Sequence, residues 1–346
     1  MRMSVRMSDA PRALRAGLLV LALTLSAVVS TDVCAGTPAA VSTPGGASSP
    51  GAANLSSAAP PPTVNPTWSI WLDNDQYALV PARAERWYTQ GIGLRRVSAW
   101  RDRTHVVFSL THQMYTPAST RTPDPQPLDR PYAGALFAGF QLLRADSVSR
   151  TDWGAEIGLI GPSAGAEGLQ RTVHRVLGQP LPLGWRYELR DQPWLQLNAA
   201  QTWRIARAQD EADLLVRVGA ELGHPRNAID AGVAVRWGTV PEAVSWPGTA
   251  LPMQHATRRW MAHGLLQMRA VASDALIDGS PLAGDSQVRR RTWVPQAGIG
   301  VSWALSPALG VDTAILWRAR EFEADPTSTL PAQQRWGQIQ LRGSFD

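Results

Sequence analysis

The stretch WGQIQLRGSF, residues 336–345, decides how the chain must fold. Its residues alternate strictly. Gly337, Ile339, Leu341, Gly343 and Phe345 fall on one side of an extended strand, and Trp336, Gln338, Gln340 and Arg342 on the other. The second set is polar, and a soluble sandwich has no need of Gln and Arg on its buried face. A barrel with apolar residues toward lipid and a polar lumen does need that arrangement. DAGVAVRWG, residues 230–238, repeats it, with Ala231, Val233, Val235 and Trp237 opposed to Gly232, Ala234 and Arg236.

Working outward from these two stretches, the period-two pattern runs from Thr67 to the end of the chain, interrupted by turn residues. It predicts strands at 67–76, 86–100, 104–116, 132–147, 151–162, 194–209, 212–225, 227–240, 259–279, 288–307, 309–324 and 333–346. Twelve is an even number, and most of these segments reach the roughly 9–11 residues that cross a bilayer at a tilt. Trp68, Trp100, Trp153, Trp237, Trp260 and Trp317 stand near strand ends or on apolar faces, where an interfacial girdle would lie. The competing architecture is a periplasmic all-β sandwich. The pattern favours an all-β fold, a twelve-stranded antiparallel transmembrane β-barrel. One insertion, 163–193, is too long for a tight turn and carries a short helical run, GLQRTVHRVLG at 168–178, after the fifth strand. A helix inside or over one mouth of a barrel is a usual place for a site.

Residues 1–35 have the form of an export signal. Arg12 and Arg15 precede an apolar run from Ala16 to Val29, too short for a comfortable span, and Val33 and Ala35 fit the small positions of a cleavage site. The single cysteine, Cys34, excludes an internal disulfide framework. From Gly36 to Pro66 the chain is Ala, Ser, Pro, Gly and Thr with almost no charge, the composition of a flexible tether. The 33 basic residues, all arginine, are spread evenly, which argues against a nucleic-acid arm and suits anionic lipid head groups.

Candidate chemistry gathers at three places. In WLDNDQYA, Asn74 and Asp75 offer two hard oxygen donors of the kind calcium or magnesium takes; read alone, the pair is better accounted for by an Asx turn closing the strand. In ERWYTQG, Thr89 could add a hydroxyl across the first hairpin, although a strand threonine is usually a packing residue. In the helical run, His174 is the foremost acid/base candidate, with Gln170 one turn earlier on the same face. His112, His224, His255 and His263 compete with it on composition alone. Ser163 in GPSAG lacks the strand–turn–helix setting of a nucleophile elbow and reads better as a helix cap.

Taken together, several motifs resemble the outer-membrane lipid A 3′-O-deacylase family, calcium-dependent twelve-stranded barrels. They are NDQY at 74–77, ERWYTQG at 85–91, LDRPYAG at 128–134, IGLIGPSAG at 157–165, LQRTVHRVLG at 169–178, GW at 184–185, LIDG at 276–279 and WRAREFE at 317–323. In order and spacing they cover nearly the whole chain from residue 67. The resemblance implies an enzyme of the bacterial outer membrane that hydrolyses the ester-linked 3′ acyl chain of lipid A. It puts His174 on the catalytic histidine, Gln170 beside it, and Asn74, Asp75 and Thr89 on positions that shape the site near calcium. Arg121 and Arg130, in the loop after the third strand, are candidates for holding glucosamine phosphates. Lipid A is the implied partner, nucleic acid is not, and a monomer is expected.

The chain departs from the family pattern just after the histidine helix. Gln179 and Pro180 stand where some members carry an acidic residue, and GWRYELRDQP puts Glu188 and Gln192 in the places of other polar positions. Glu188, as a calcium ligand, and Asp191 are the residues that could supply the missing charge. The chain also ends SFD, with its aromatic residue penultimate. The alternatives are a non-enzymatic barrel, either a narrow pore or a structural protein, and a barrel phospholipase.

Overall fold

The computed structural model describes residues 66–75, 86–101, 103–126, 128–209, 211–249, 259–280, 284–285, 288–324 and 329–344. The leader, nearly all of the tether, His255 and Phe345 lie outside the described residues. Twelve antiparallel strands close into a barrel: β1 (Thr67–Asn74), β2 (Trp87–Arg101), β3 (Thr104–Thr116), β4 (Ala133–Ala145), β5 (Ser149–Ile160), β6 (Gln192–Ala208), β7 (Ala212–His224), β8 (Arg226–Gly238), β9 (Arg259–Asp274), β10 (Trp293–Ser306), β11 (Leu309–Ala319) and β12 (Gln333–Ser344). Each pairs with its neighbour in sequence, and β1 closes on β12 from Thr67↔Ser344 to Asn74↔Gly337.

The alternation in the sequence sorts the side chains. On β12, Ile339 and Leu341 are exposed on the outer wall while Trp336 and Gln340 are buried. On β8, Val233, Val235 and Trp237 face outward, and Arg236 is sealed inside against Asp213. Arg95, Gln113, Asp152, Glu156, Asn198, Arg217, Glu221 and Asp230 line a lumenal cavity. Inside, charges must be paired, because stranding one in a low-dielectric interior is costly. Arg150 accordingly grips Asp152 at 2.7 Å, and Arg204 reaches Asp213 at 2.8 Å.

The two ends of the barrel differ. At one, the strands are joined by residues 102–103, 146–148, 209–211 and 307–308, and β1 begins there while β12 ends there. At the other lie the long connections 75–86, 117–132, 161–191, 275–292 and 320–332. Two connections depart from this division, Pro225 alone between β7 and β8 at the second end and residues 239–258 between β8 and β9 at the first; the other short turns mark the periplasmic end and the long loops the outer end. Trp68, Trp100, Trp203, Trp237, Trp260 and Trp303 are exposed toward the short-turn end, as a girdle requires.

Three strand boundaries differ from the sequence expectation by five residues each. β9 stops at Asp274, whose carboxylate accepts the Leu276 amide and starts a one-turn helix, Ala275–Asp278. β10 begins at Trp293 and β11 ends at Ala319, where the long loops of the outer end take over.

The connection after β8 has a part the strand pattern did not reveal. Residues 239–249 turn back into the barrel from the short-turn end. Val244 and Trp246 pack on the lumenal Leu215, Ala234 and Leu265. Arg236 Nη1 donates to the Ser245 carbonyl at 3.0 Å, and Arg204 donates to the carbonyls of Pro241 and Glu242. Toward the outer end, Tyr88, Tyr115, Phe137, Trp194, Leu276 and Trp336 form an apolar cluster that narrows the bore. Between the two lies a chamber of about 390 Å³. A lumen narrowed at both levels among the described residues leaves little room for ion flow. In planar bilayers the protein is expected to be electrically silent, and a steady ohmic conductance would contradict this packing.

Candidate active site on the outer wall

The insertion after β5 forms one α-helix, α1 (Ala166–Leu177), flanked by 3-10 turns at Pro162–Ala164 and Trp185–Tyr187. Two glycines with positive φ steer the chain into it, Gly161 (112°) and Gly165 (75°). Gly178, also left-handed, ends it: its amide bonds the Arg175 carbonyl, and the next amide, of Gln179, reaches back to His174 O at 2.8 Å. This is a Schellman closure, which satisfies the last carbonyls and reverses the chain under the helix.

Ala166, Gln170 and His174, spaced four apart, are the buried face. That face meets the outside of the barrel, neither entering the lumen nor covering its mouth, and so differs from the expected placement. Ala166 packs with Met114 and Tyr132, with Leu169 against them, and Val173 rests on Leu72 and Ile92. The reason is chemical: Leu72, Ile92 and Met114 on the outward faces of β1 to β3 offer the helix an apolar seat, beside the polar Gln90 and His112 that pair with Met114 and Ile92. Val173 therefore brings the His174 turn of α1 onto the strand residue two before Asn74.

His174 is buried, and its Nδ1 lies 2.6 Å from the carbonyl oxygen of Pro180. A carbonyl can only accept, so Nδ1 carries the proton and Nε2 is the basic nitrogen. The position where the sequence departs from the family pattern thus supplies a backbone acceptor. Gln170, also buried, accepts the indole N–H of Trp185 at 2.7 Å, and Trp185 packs on Tyr132 with ring centroids 4.6 Å apart. The sequence reading gave Trp185 no role beyond its GW motif.

Asn74 ends β1. Asp75 is buried and accepts the Arg86 amide at 2.9 Å, tying the base of the first long connection. Thr89 is the extra residue of a β-bulge between Tyr88 and Gln90, and its hydroxyl meets that of Thr116 at 2.7 Å.

Other candidates are not gathered here. Arg130 is 1% exposed, 3.4 Å from Glu321, and stacked 4.2 Å over Tyr115. A guanidinium committed to a buried carboxylate is not a phosphate clamp, so that expectation is corrected. Arg121 is exposed in the same loop, beside Thr120, whose carbonyl accepts the Leu183 amide. Ser163 is exposed and donates its hydroxyl to Asp191 at 2.7 Å, a loop closure that uses the Asp191 carboxylate. His263 is buried, with its ring over Gly300 of the neighbouring strand β10, and His224 bonds Gln192.

Glu188 belongs with Glu167 and Asp191 toward the start of α1, not with Asp75. Burial, then these two negative charges, push its carboxyl up to about 7. Glu167 and His174 are seven residues apart, roughly 10 Å along the helix. Among the described residues, no three His, Cys, Asp or Glu side chains converge on a metal position. The charges that act on Glu188 are those of Glu167 and Asp191.

The raised Glu188 carboxyl has a pH consequence. The docked loop holds its proton where the undocked loop would lose it, so docking is firmest below about pH 4.5 and weakens as pH rises through about 7. Limited proteolysis of the 178–191 connection should be faster at pH 8 than at pH 5.5 after correction for protease activity. Glu188→Gln should remove the difference; a difference that survives would rule this carboxyl out.

Fold and site define a class: a twelve-stranded outer-membrane barrel with a polar helix face clamped to its outer wall near the outer rim. The family described as Outer membrane protein LpxR matches residues 23–345, and the chain belongs to that family. Among solved structures it is similar to LpxR from Salmonella typhimurium, with a TM-score of 0.71 at 18% identity, covering 81% of this chain and 100% of that one. KdgM porin and NanC porin align over 81% of the chain with TM-scores of 0.38 and 0.40 at 5% and 6% identity, too distant to carry an argument. No curated protein sequence matches the chain.

Proposed function

We propose that the chain is a calcium-dependent lipid A 3′-O-deacylase that works on the outer wall of its barrel. The observation that carries this is a histidine with a fixed tautomer on a helix seated over the Asn74 end of β1, on the outer wall of the barrel. A lipid ester can reach such a site without leaving the membrane. Membership of the LpxR family supports the same reading.

In the reaction, His174 Nε2 takes a proton from water, and the hydroxide adds to the ester carbonyl. The tetrahedral adduct collapses with release of the 3′ oxygen, which receives the proton held by His174. The products are a free 3-hydroxyacyl acid and a 3′ hydroxyl on the glucosamine. Pro180 O fixes the imidazole throughout, and Gln170 with Trp185 holds the helix face in register.

Asn74, Asp75 and Thr89 present an amide oxygen, a carboxylate and a hydroxyl, which fits calcium in donor type. Bound there, calcium would supply positive charge for the developing oxyanion. With Asp75 as the carboxylate, the remaining ligands must be neutral oxygens or water, so the ion should exchange readily. Arg121, exposed in the loop after β3, is the residue that would meet a head-group phosphate.

The test is mass spectrometry of lipid A incubated with the purified protein in mixed micelles. Loss of one 3-hydroxyacyl chain is expected, and a chelator should stop it. Release of fatty acid from glycerophospholipid with lipid A untouched would replace this reading by the phospholipase one.

A further inference from the structure

The segment Arg86–Gln90 is held more tightly than strand pairing requires. Its amides and side chains are tied in series: Arg86 N to Asp75, Trp87 Nε1 to Asp129 at 2.9 Å, and Tyr88 N to Gln334 Oε1 at 2.9 Å. Tyr88 Oη then donates to Asp73 Oδ2 at 2.7 Å, whose other oxygen accepts from Gln338 Nε2 at 2.8 Å. Trp87 has φ of 64°, a region bulky residues rarely occupy, and the β-bulge follows at once. Strain of this kind persists only where its surroundings over-determine it, and here they do.

The geometry explains what the ties accomplish. β1 ends at Asn74, so β2 above that level has lost its neighbour. Gln334 of β12 reaches across and takes the Tyr88 amide that β1 would have taken. Asp73 and Tyr88 both line the lumen. Asn74 follows Asp73 within β1 and therefore falls on the opposite, outer face, and Thr89, in the bulge where alternation breaks, meets the hydroxyl of Thr116, which follows the lumen-lining Tyr115 on β3. Gly91, paired with Asp73, leaves the space: a Cβ there would lie 2.0 Å from Tyr88 Oη.

We propose that Tyr88, clasped to Asp73 inside the barrel, is a positioning residue that sets the bulge and so aims Thr89 and Asn74 on the outer wall. This rests on the deacylase reading given above. Tyr88 touches no reacting atom; it acts through the two residues behind which it is anchored.

Two variants break the clasp by different routes. Tyr88→Phe deletes the hydroxyl, and Gly91→Ala displaces it. Each should lower kcat on lipid A on the order of tenfold with KM held within twofold. Each should also speed amide exchange in residues 86–92 several-fold while the other strands are unchanged. Tyr115→Phe is the control, a neighbouring buried tyrosine whose hydroxyl bonds Gln113 within its own strand at 2.8 Å; it should alter neither quantity. Unchanged exchange in both variants overturns the clasp whatever the activity. Faster exchange with unchanged kcat overturns its role in positioning. Wild-type protein that releases no acyl chain overturns the deacylase reading, and exchange then decides the clasp alone.

Discussion

Replacing His174 with alanine is expected to reduce lipid A deacylation by a factor on the order of 10³ while the barrel stays folded, since a positioned general base contributes about 10²–10⁴. The wall does not depend on this side chain. Its neighbour Val173 holds the helix to Leu72 and Ile92, and twelve strands close without it. The substitution does remove the bond to the Pro180 carbonyl, worth about 1 kcal/mol, and could loosen the 178–191 connection. His174→Asn separates the two effects. Its amide can still donate where Nδ1 did, but it has no basic nitrogen. It should be as inactive as the alanine variant while protecting the connection from proteolysis like the wild type. The readouts are acyl release by mass spectrometry and the heat-modifiable gel shift of an intact barrel. Activity within tenfold of wild type in either variant would remove His174 as the base.

The strands were legible because the code for them is local. Alternation on β8 and β12 named the outer and lumenal residues individually, and Arg236 and Ile339 stand where the pattern put them. The helix was legible from its spacing and its terminal glycine, but its seat was not. A helix with one buried face declares that it packs, not on what. The partner here is Leu72, Ile92 and Met114 on the outside of β1 to β3, which in sequence is the same signal as lipid-facing wall.

The surroundings of Arg130 and Glu188 were hidden for a different reason. Charge and loop position gave each a role, yet the role depended on partners distant in sequence. Glu321 lies 191 residues from Arg130, and Glu188 is grouped with Glu167. The bore-filling segment was missed for a like reason: VSWPG, at 244–248, has no periodicity to betray that Trp246 turns inward. Within the site, the departure at Pro180 looked like a lost charge. A backbone carbonyl has no letter of its own in a sequence, so the replacement acceptor could not be seen there.

The seat of the helix gives the second large expected effect. Gly134 of β4 lies directly beneath α1, and a Cβ added there would be 2.7 Å from the Ala166 Cβ and 3.2 Å from that of Ala164. Neither contact is with a flexible tip, so the helix must lift. Gly134→Val should therefore cut kcat/KM roughly 10²-fold, because a displacement of about 1 Å at a reacting group costs that much. The barrel itself should not suffer, since valine suits a strand better than glycine does. Ala166→Gly supplies the discriminating control. Alone it removes one methyl at the first turn of the helix and should change activity little. Combined with Gly134→Val it clears the nearer clash, and activity should recover at least tenfold over the single valine variant. Such non-additivity is the signature of two residues sharing one contact. A Gly134→Val protein as active as wild type would mean that the height of α1 above the wall does not matter. His174 could not then be acting from the place this packing gives it.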